Sequence, residues 1–171
     1  MCNYIGQSKV SLKMKAVTKL GLTVKECLEV SPLSRFEVLT GDTGLENVVE
    51  KVSVLEAPDG IYWIRGNEFV ATCGYAFREN KERLLEVVDE MAQRGLAVLG
   101  IKINRFLFSL PEGLIEKCID LKLPLLSIPS DIAYYDIISS LEHELWNRRY
   151  VHRKNNLLNG YLSRISTHDS V

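Results

Sequence analysis

The segment spanning residues 68–104 constrains the fold more than any other part of the sequence. Residues 69–73 and 97–101 are short apolar runs without polar alternation, which is typical of strands buried on both faces. Between them, residues 78–94 carry an apolar stripe at helical spacing, formed by Leu84, Leu85, Val88, Met91 and Ala92. Gly95 follows at a position that suits a helix C-cap. This succession of strand, helix and strand predicts a right-handed βαβ crossover with parallel strands.

Similar patterns on both sides of this unit predict one α/β domain. Residues 36–39 and 48–55 have the β-branched and aromatic content of strands, and residues 125–128 form a further apolar strand. A long helix is predicted from about Tyr134 past Leu145. The expected fold class is therefore α/β, with a parallel or mixed sheet of four to five strands flanked by helices and a long C-terminal helix.

Three segments are predicted along the chain: a basic leader over residues 1–21, the α/β domain over residues 22–147, and a basic helical extension or linker over residues 148–171. Thr23 and Glu26 have the spacing of a capping box, so the domain is expected to begin close to them. The basic side chains of the extension are Arg148, Arg149, His152, Arg153 and Lys154. The extension can either leave the domain and pair with a partner helix or remain a surface helix with a solvated basic end.

Composition argues against several classes of protein. The formal net charge is −1, which gives no reason to expect that the chain as a whole binds nucleic acid. No run approaches the roughly 18 apolar residues of a membrane span, and the N-terminus lacks the apolar core of a signal peptide. The four cysteines include no CxxC pair, so buried free thiols in a reducing compartment are expected, with a redox role for Cys73 as the alternative. The sequence thus predicts a cytoplasmic protein without membrane contact.

No motif in the sequence indicates catalysis. The phosphate-binding patterns GxxxxGK[ST] and GxGxxG, the GxSxG elbow and the HExxH pair are all missing. The histidines, at positions 143, 152 and 168, lie in or beyond the last predicted helix, away from the strand ends. We therefore expect that the chain is not an enzyme and needs no metal ion or cofactor.

A candidate ligand site follows from the sheet itself, because open α/β sheets bind ligands beyond the carboxyl ends of their strands. The predicted site residues at those ends are Glu56, Asp59, Thr72, Gly74, Tyr75 and Lys102. Gly74 would allow a ligand to approach backbone amides at a helix start, and Tyr75 could stack with Trp63 on a planar ring. Lys102 ends an apolar strand, so we expect it to pair with an acid or a bound anion.

These residues also have a purely structural interpretation. Gly74 can serve only to turn the chain, and Lys102 can form an ion pair with Glu56 or Glu68. The residues alone leave both interpretations open.

Five short motifs occur in order and together resemble one family. They are Leu22-Thr-Val-Lys-Glu-Cys-Leu28, Gly44-Leu-Glu-Asn-Val-Val49, Gly66-Asn-Glu-Phe-Val-Ala-Thr-Cys-Gly-Tyr75, Gly100-Ile-Lys102 and Leu123-Pro-Leu-Leu126. The chain is similar, over about residues 22–145, to the N-terminal domain of purine catabolism regulator-like (PucR) bacterial transcription factors. The family pattern around Thr72 usually reads Leu-Thr-Thr-Gly, whereas Ala71 and Cys73 stand on either side of that threonine here.

The resemblance implies a sensory domain that precedes a linker or middle domain and a C-terminal helix-turn-helix. It implies regulation of purine or related nitrogen-compound catabolism and a small, purine-related metabolite as ligand. The apolar residues that continue along the C-terminal helix lead us to expect a homodimer formed through that helix. No helix-turn-helix follows the long helix in this sequence, so DNA contact would require such a motif outside it. The alternative is a dimerisation or protein-docking module without a small-molecule ligand.

Overall fold

The computed structural model of the protein describes residues 20–166, with side chains as far as residue 159. The leader predicted for residues 1–21 therefore falls almost wholly outside the described residues, as do Cys2 and residues 167–171 with His168. Within the described part, no helix combines the length and the apolar character that crossing a bilayer requires.

The strands in chain order are β1 (Leu22–Thr23), β2 (Glu37–Val38), β3 (Val48–Val49), β4 (Lys51–Val54), β5 (Glu68–Thr72), β6 (Val98–Ile101) and β7 (Leu125–Ser127). The α-helices are α1 (Val24–Cys27), α2 (Arg83–Gln93), α3 (Leu114–Asp120) and α4 (Tyr134–Ser166). Strands β2, β7, β6, β5 and β4 form one sheet in that order, in which β4 to β7 are parallel and β2 is antiparallel to β7. Strands β1 and β3 form a separate antiparallel pair. The predicted α/β class, with a parallel or mixed sheet of four to five strands and a long C-terminal helix, is confirmed, and the sheet is mixed with five strands.

The predicted crossover is the centre of this sheet. Strands β5 and β6 are parallel neighbours, and every residue in both is buried, as their unbroken apolar runs indicated. Helix α2 begins at Arg83 rather than at Arg78, because a 3-10 turn over Tyr75–Phe77 and a further turn take up the first residues after β5. Gly95, at φ +77°, ends the helix, and its amide donates to the carbonyl of Ala92.

The single strand predicted for residues 48–55 is divided in two. Its first part, β3, pairs with β1, whereas its second part, β4, pairs with β5. The division falls at Glu50, where the amides of Glu50 and Lys51 both donate to the carbonyl oxygen of Asn67, at 2.7 and 3.3 Å. Two successive donors on one acceptor bend the chain, so β-branched content alone could not show where one pairing stops and the next begins.

Helices cover both faces of the sheet and close two cores. Helices α2 and α3 pack on one face, whereas α1 and α4 pack on the other. Helix α4 contributes Ile137, Leu141 and Leu145, and all three are fully buried. Burying a large aliphatic side chain contributes about 1.5–3 kcal/mol. The first turns of α4 are therefore part of the domain rather than an appendage to it.

Further along α4, Arg148 fastens the helix to α1. Its guanidinium donates to both carboxylate oxygens of Glu26, at 2.8 and 2.9 Å, and to the carbonyl of Gly21 at 3.0 Å. Glu26 also accepts from the amide of Thr23, at 2.8 Å, in the capping box that the sequence predicted. We call this contact between Arg148 and Glu26 the clamp.

Because of the clamp, we expect the protein to lose part of its stability in acid. The hydrogen bond from Arg148 holds the pKa of Glu26 below its usual value of 4.5. The unfolded chain therefore binds the proton more readily, so this contribution is fully present above about pH 4.5 and is lost as the pH falls through the folded-state pKa. We expect the difference in Tm between the wild type and Arg148→Met to shrink from about pH 7 to about pH 3. Circular dichroism melts would measure it.

The matched control is Arg83→Met, which removes an exposed arginine at the start of α2. Its Tm should follow that of the wild type across the same pH range. A gap between the wild type and Arg148→Met that stays constant down to about pH 3 would contradict the assignment of this acid-sensitive stability to Glu26.

Candidate functional site

The carboxyl ends of three parallel strands meet the start of α4 at one edge of the sheet. Glu56 follows β4, Cys73 follows β5, Lys102 follows β6, and Tyr134 is the first residue of α4. The four side chains form one connected group of contacts. We call this group the edge cluster.

Glu56 is the hub of the edge cluster. One carboxylate oxygen accepts from the backbone amide of Cys73, at 2.8 Å, and from the hydroxyl of Tyr134. The other oxygen accepts from the thiol of Cys73. A single carboxylate therefore joins the end of β4, the end of β5 and the start of α4.

Lys102 is a buried cation, with only 4% of its surface exposed. Its ammonium donates to the carbonyl of Ile132 and lies 4.8 Å from the centre of the Tyr134 ring. Among residues 20–166, no carboxylate oxygen lies within 4.0 Å of it, so it forms an ion pair with neither Glu56 nor Glu68. An ammonium has three hydrogens to donate, and burying it without a counter-ion is unfavourable.

Thr72 and Gly74 shape the loop after β5. The amide of Gly74 donates to the Thr72 hydroxyl at 3.0 Å, and the carbonyl of Thr72 accepts from the amide of Lys102 at 2.8 Å. Gly74 has φ +78°, and a Cβ added to it would stand 2.6 Å from side-chain carbons of Leu107. The Leu107 side chain thus occupies the space through which a ligand was expected to approach the Gly74 backbone. The Gly74 amide is also already hydrogen-bonded, to the Thr72 hydroxyl.

Tyr75 and Asp59 lie outside the edge cluster. Tyr75 is 42% exposed, with its ring edge-on to Phe106 at 5.0 Å and the guanidinium of Arg78 at 3.9 Å above it. Asp59 is exposed and precedes the 3-10 turn Gly60–Trp63. Of the six predicted site residues, the structure brings Glu56 and Lys102 into the edge cluster. Thr72 and Gly74 flank Cys73 of the cluster in the chain, whereas Tyr75 and Asp59 take no part in its contacts.

A comparison with protein-family models matches residues 26–145 to the purine catabolism regulatory protein-like family (PucR). The chain belongs to this family. Among curated proteins, the purine catabolism regulatory protein of Bacillus subtilis (strain 168) is 28% identical over 149 residues, which covers 81% of this chain and 28% of that protein. The chain thus spans a little over a quarter of the length of this relative. No solved structure matches the chain.

The family match covers every residue of the edge cluster. Sequence reasoning named Glu56 and Lys102, but it did not assign Tyr134 to the site. The signal was there: Tyr134 begins the helix that follows β7, so it lies beyond the carboxyl end of a fourth strand of the same sheet. The rule that pointed to the other strand ends applies equally to this one.

The thiols within residues 20–166 have the character of structural cysteines. Burial raises the pKa of Cys27 to about 12 and that of Cys118 to about 11. Burial and the hydrogen bond to Glu56 also raise the pKa of Cys73. Because the thiolate is the reactive form, this argues against the redox role considered for Cys73. Within the same residues, no group of three His, Cys, Asp or Glu side chains is placed to hold a metal ion.

Three cavities of the described chain lie away from the edge cluster. One of about 270 Å³ opens at the amino edge of the parallel strands, beside Asn67, Gly95 and Lys122. A second, of about 400 Å³, lies between the segment after α1 and the face of α4 that carries Ser139 and His143. The third, of about 150 Å³, lies beside Trp63. None of these three is lined by the six predicted site residues, whose role in ligand binding stays a prediction.

Proposed function

We propose that this chain is the N-terminal regulatory domain of a cytoplasmic transcriptional regulator of purine or related nitrogen-compound catabolism. It senses a small metabolite at the edge cluster. Membership of the family and the name of the Bacillus relative support the regulatory part of this proposal. The observation that carries the sensing part is Lys102, a buried ammonium without a carboxylate partner among the described residues, placed against the first residue of α4.

Lys102 favours a ligand that brings negative charge or carbonyl oxygens. A buried ammonium that donates to one carbonyl retains two hydrogens for further acceptors. An anionic group or a polarised carbonyl of a purine-derived metabolite would supply them, and the low local dielectric would strengthen the contact. Tyr75 follows β5 at the same edge of the sheet, and the part of its ring that Arg78 leaves exposed offers a stacking surface.

The connection between Glu56 and Tyr134 supplies a route from the ligand to α4. A ligand shifts an equilibrium only by the difference in its affinity for two states. Contact with Lys102 changes the environment of the Tyr134 ring, and the hydroxyl of that ring is bound to Glu56. Ligand binding would favour a state in which the contact between Tyr134 and Glu56 is different. The start of α4 would then have a different position on the sheet.

Thermal-shift titration of the full chain with a panel of purine catabolites tests this proposal. We expect anionic members to raise Tm and Tyr75→Ala to weaken that response, because a stacking surface is lost. Tyr135→Ala is the matched control, since Tyr135 is 77% exposed at the start of α4 and makes none of the contacts that define the edge cluster. A panel without any Tm shift, or equal responses in the two variants, would count against sensing at this edge.

A second candidate is a dimerisation or docking module without a ligand. It is favoured by exposed aromatic and aliphatic side chains along the distal part of α4, namely Trp146, Tyr150, Val151, Leu157 and Leu158. Sedimentation velocity of the full chain and of the double variant Leu157→Asp/Leu158→Asp separates the two candidates. A dimer that the double variant loses, together with no ligand response in the wild type, would favour this candidate.

A further inference from the structure

The third cavity carries an inference that is independent of the edge cluster and of the proposed function. It has a volume of about 150 Å³ and lies between the sheet and the 3-10 turn Gly60–Trp63. Its lining includes Ser53, Leu55, Trp63, Ile64, Glu68 and Val70. It is thus an apolar recess with one carboxylate in its wall. At about 30 Å³ of liquid volume per water molecule, it has room for the head group of a small ligand.

Glu68 is the chemically decisive residue of this recess. It is the first residue of β5 and is only 6% exposed. Its two oxygens accept one neutral hydrogen bond each, from the hydroxyl of Ser53 and the amide of Arg65, both at 2.8 Å. A carboxylate has acceptor sites for about four hydrogen bonds, so part of its capacity stays free.

Glu68 also lacks a cationic partner within the described chain. No lysine, arginine or histidine nitrogen of residues 20–159, whose side chains the structure describes, lies within 4.0 Å of its carboxylate. The ion pair with Lys102 that the sequence suggested cannot form, because Glu68 stands at the amino end of β5 and Lys102 beyond the carboxyl end of β6. A buried carboxylate of this kind gains strongly from a cation that reaches it.

Trp63 gives the recess an aromatic wall. Its side chain lines the cavity and yet is 70% exposed, although tryptophan is a residue that proteins usually bury. The face of an indole ring attracts cations more strongly than other aromatic side chains do. A buried carboxylate, an aromatic wall and an aliphatic floor are the components of a site for an organic cation.

We infer that the recess beside Glu68 and Trp63 binds a small organic cation through a primary ammonium or guanidinium head group. The head group donates to the free acceptor sites of Glu68. The short alkyl part packs on Leu55, Ile64 and Val70, and the cation lies against the Trp63 ring.

The test uses the 171-residue chain with the substitution Trp146→Phe, which leaves Trp63 as the remaining tryptophan of the two in the sequence. Fluorescence is followed during titration with methylguanidinium chloride and n-propylammonium chloride. We expect a saturable change with a Kd on the order of 1 mM. N-Methylurea and 1-propanol, which are neutral and of similar size, should give no saturable change. An equal response to the neutral compounds, or no saturation with either cation, would overturn the inference.

Variants assign the binding to the recess. Glu68→Gln keeps a hydrogen-bonding group of the same shape and should weaken cation binding by about tenfold or more, because the charge-assisted contact is lost. Glu112→Gln removes one negative charge from an exposed position elsewhere and should leave the affinity unchanged. Unchanged affinity in folded Glu68→Gln would refute the site.

If Glu68→Gln does not fold, Trp63→Leu provides a second test of the site. We expect this variant to fold, because the Trp63 side chain is exposed and is not part of the core. Broadening of the methyl proton signal of methylguanidinium measures its binding, and we expect the broadening to be lost in this variant. Undiminished broadening would refute the inference.

Lys51 is a competitor for Glu68 within the chain, because it stands opposite Glu68 on the adjacent strand. Its ammonium donates instead to the carbonyl of Gly66, at 3.4 Å. Lys51→Gln should therefore leave cation affinity unchanged, or raise it by removing a rival charge. Weaker binding in this variant would also contradict the inference.

Discussion

Leu141→Ala is expected to lower the free energy of unfolding by about 2–5 kcal/mol, the range for truncating a buried leucine. Leu141 lies on α4 and is fully buried between Ile137 and Leu145 in the core that this helix closes over the sheet. Removing its terminal carbons forfeits their burial and leaves a cavity that surrounding strands cannot close. Chemical denaturation followed by circular dichroism would measure the loss.

Leu158→Ala is the matched control on the same helix. Leu158 is 51% exposed, and it lies beyond the clamp, where α4 has left the core. At a protein concentration at which the chain is monomeric, its truncation should change the free energy of unfolding by no more than about 0.5 kcal/mol. Similar losses for the two variants would mean that α4 does not divide into a packed part and a projecting part as described.

Lys102→Met should act in the opposite direction and raise the free energy of unfolding by about 1–3 kcal/mol. Methionine is close to lysine in length and fits an apolar site, so the change removes the cost of a buried ammonium. The carbonyl of Ile132 loses a donor, which offsets part of the gain. If Lys102 binds the metabolite, the same variant should lose the ligand-induced rise in Tm, so that stability and response separate.

Lys25→Met is the comparison for this variant, because it removes an exposed lysine and the same single charge. It should change neither Tm nor the response to ligand. A marked loss of stability in Lys102→Met would show that the ammonium is needed for folding. If ligand still raises the Tm of Lys102→Met, Lys102 is not part of the ligand site.

Local patterning was enough to predict the centre of the fold. The crossover could be identified from the apolar runs of β5 and β6, the helical stripe between them and the C-cap residue Gly95. Each of these signals is contained within one element of secondary structure. The break between β3 and β4 was not predictable in this way. It depends on Asn67, a residue of the next segment, whose carbonyl receives two amides of the bend.

The candidate site was predictable in location but not in its connections. The rule for parallel sheets pointed to the strand ends, which brought Glu56 and Lys102 into consideration. Their partners, Tyr134 and the carbonyl of Ile132, come from a segment that packing of α4 brings back over the sheet. Such long-range pairs depend on where core packing places α4 on the sheet. The local spacing of residues in the sequence does not show this position.

The geometry of α4 has a mechanical consequence. The helix has 33 residues, so at a rise of 1.5 Å per residue it is a rod of about 50 Å. The clamp divides it into one arm of about 21 Å back to Tyr134 and another of about 27 Å to Ser166. Suppose that α4 tilts as a rigid body about Arg148. A lateral displacement of its Tyr134 end then moves its Ser166 end in the opposite direction, by about 1.3 times as much.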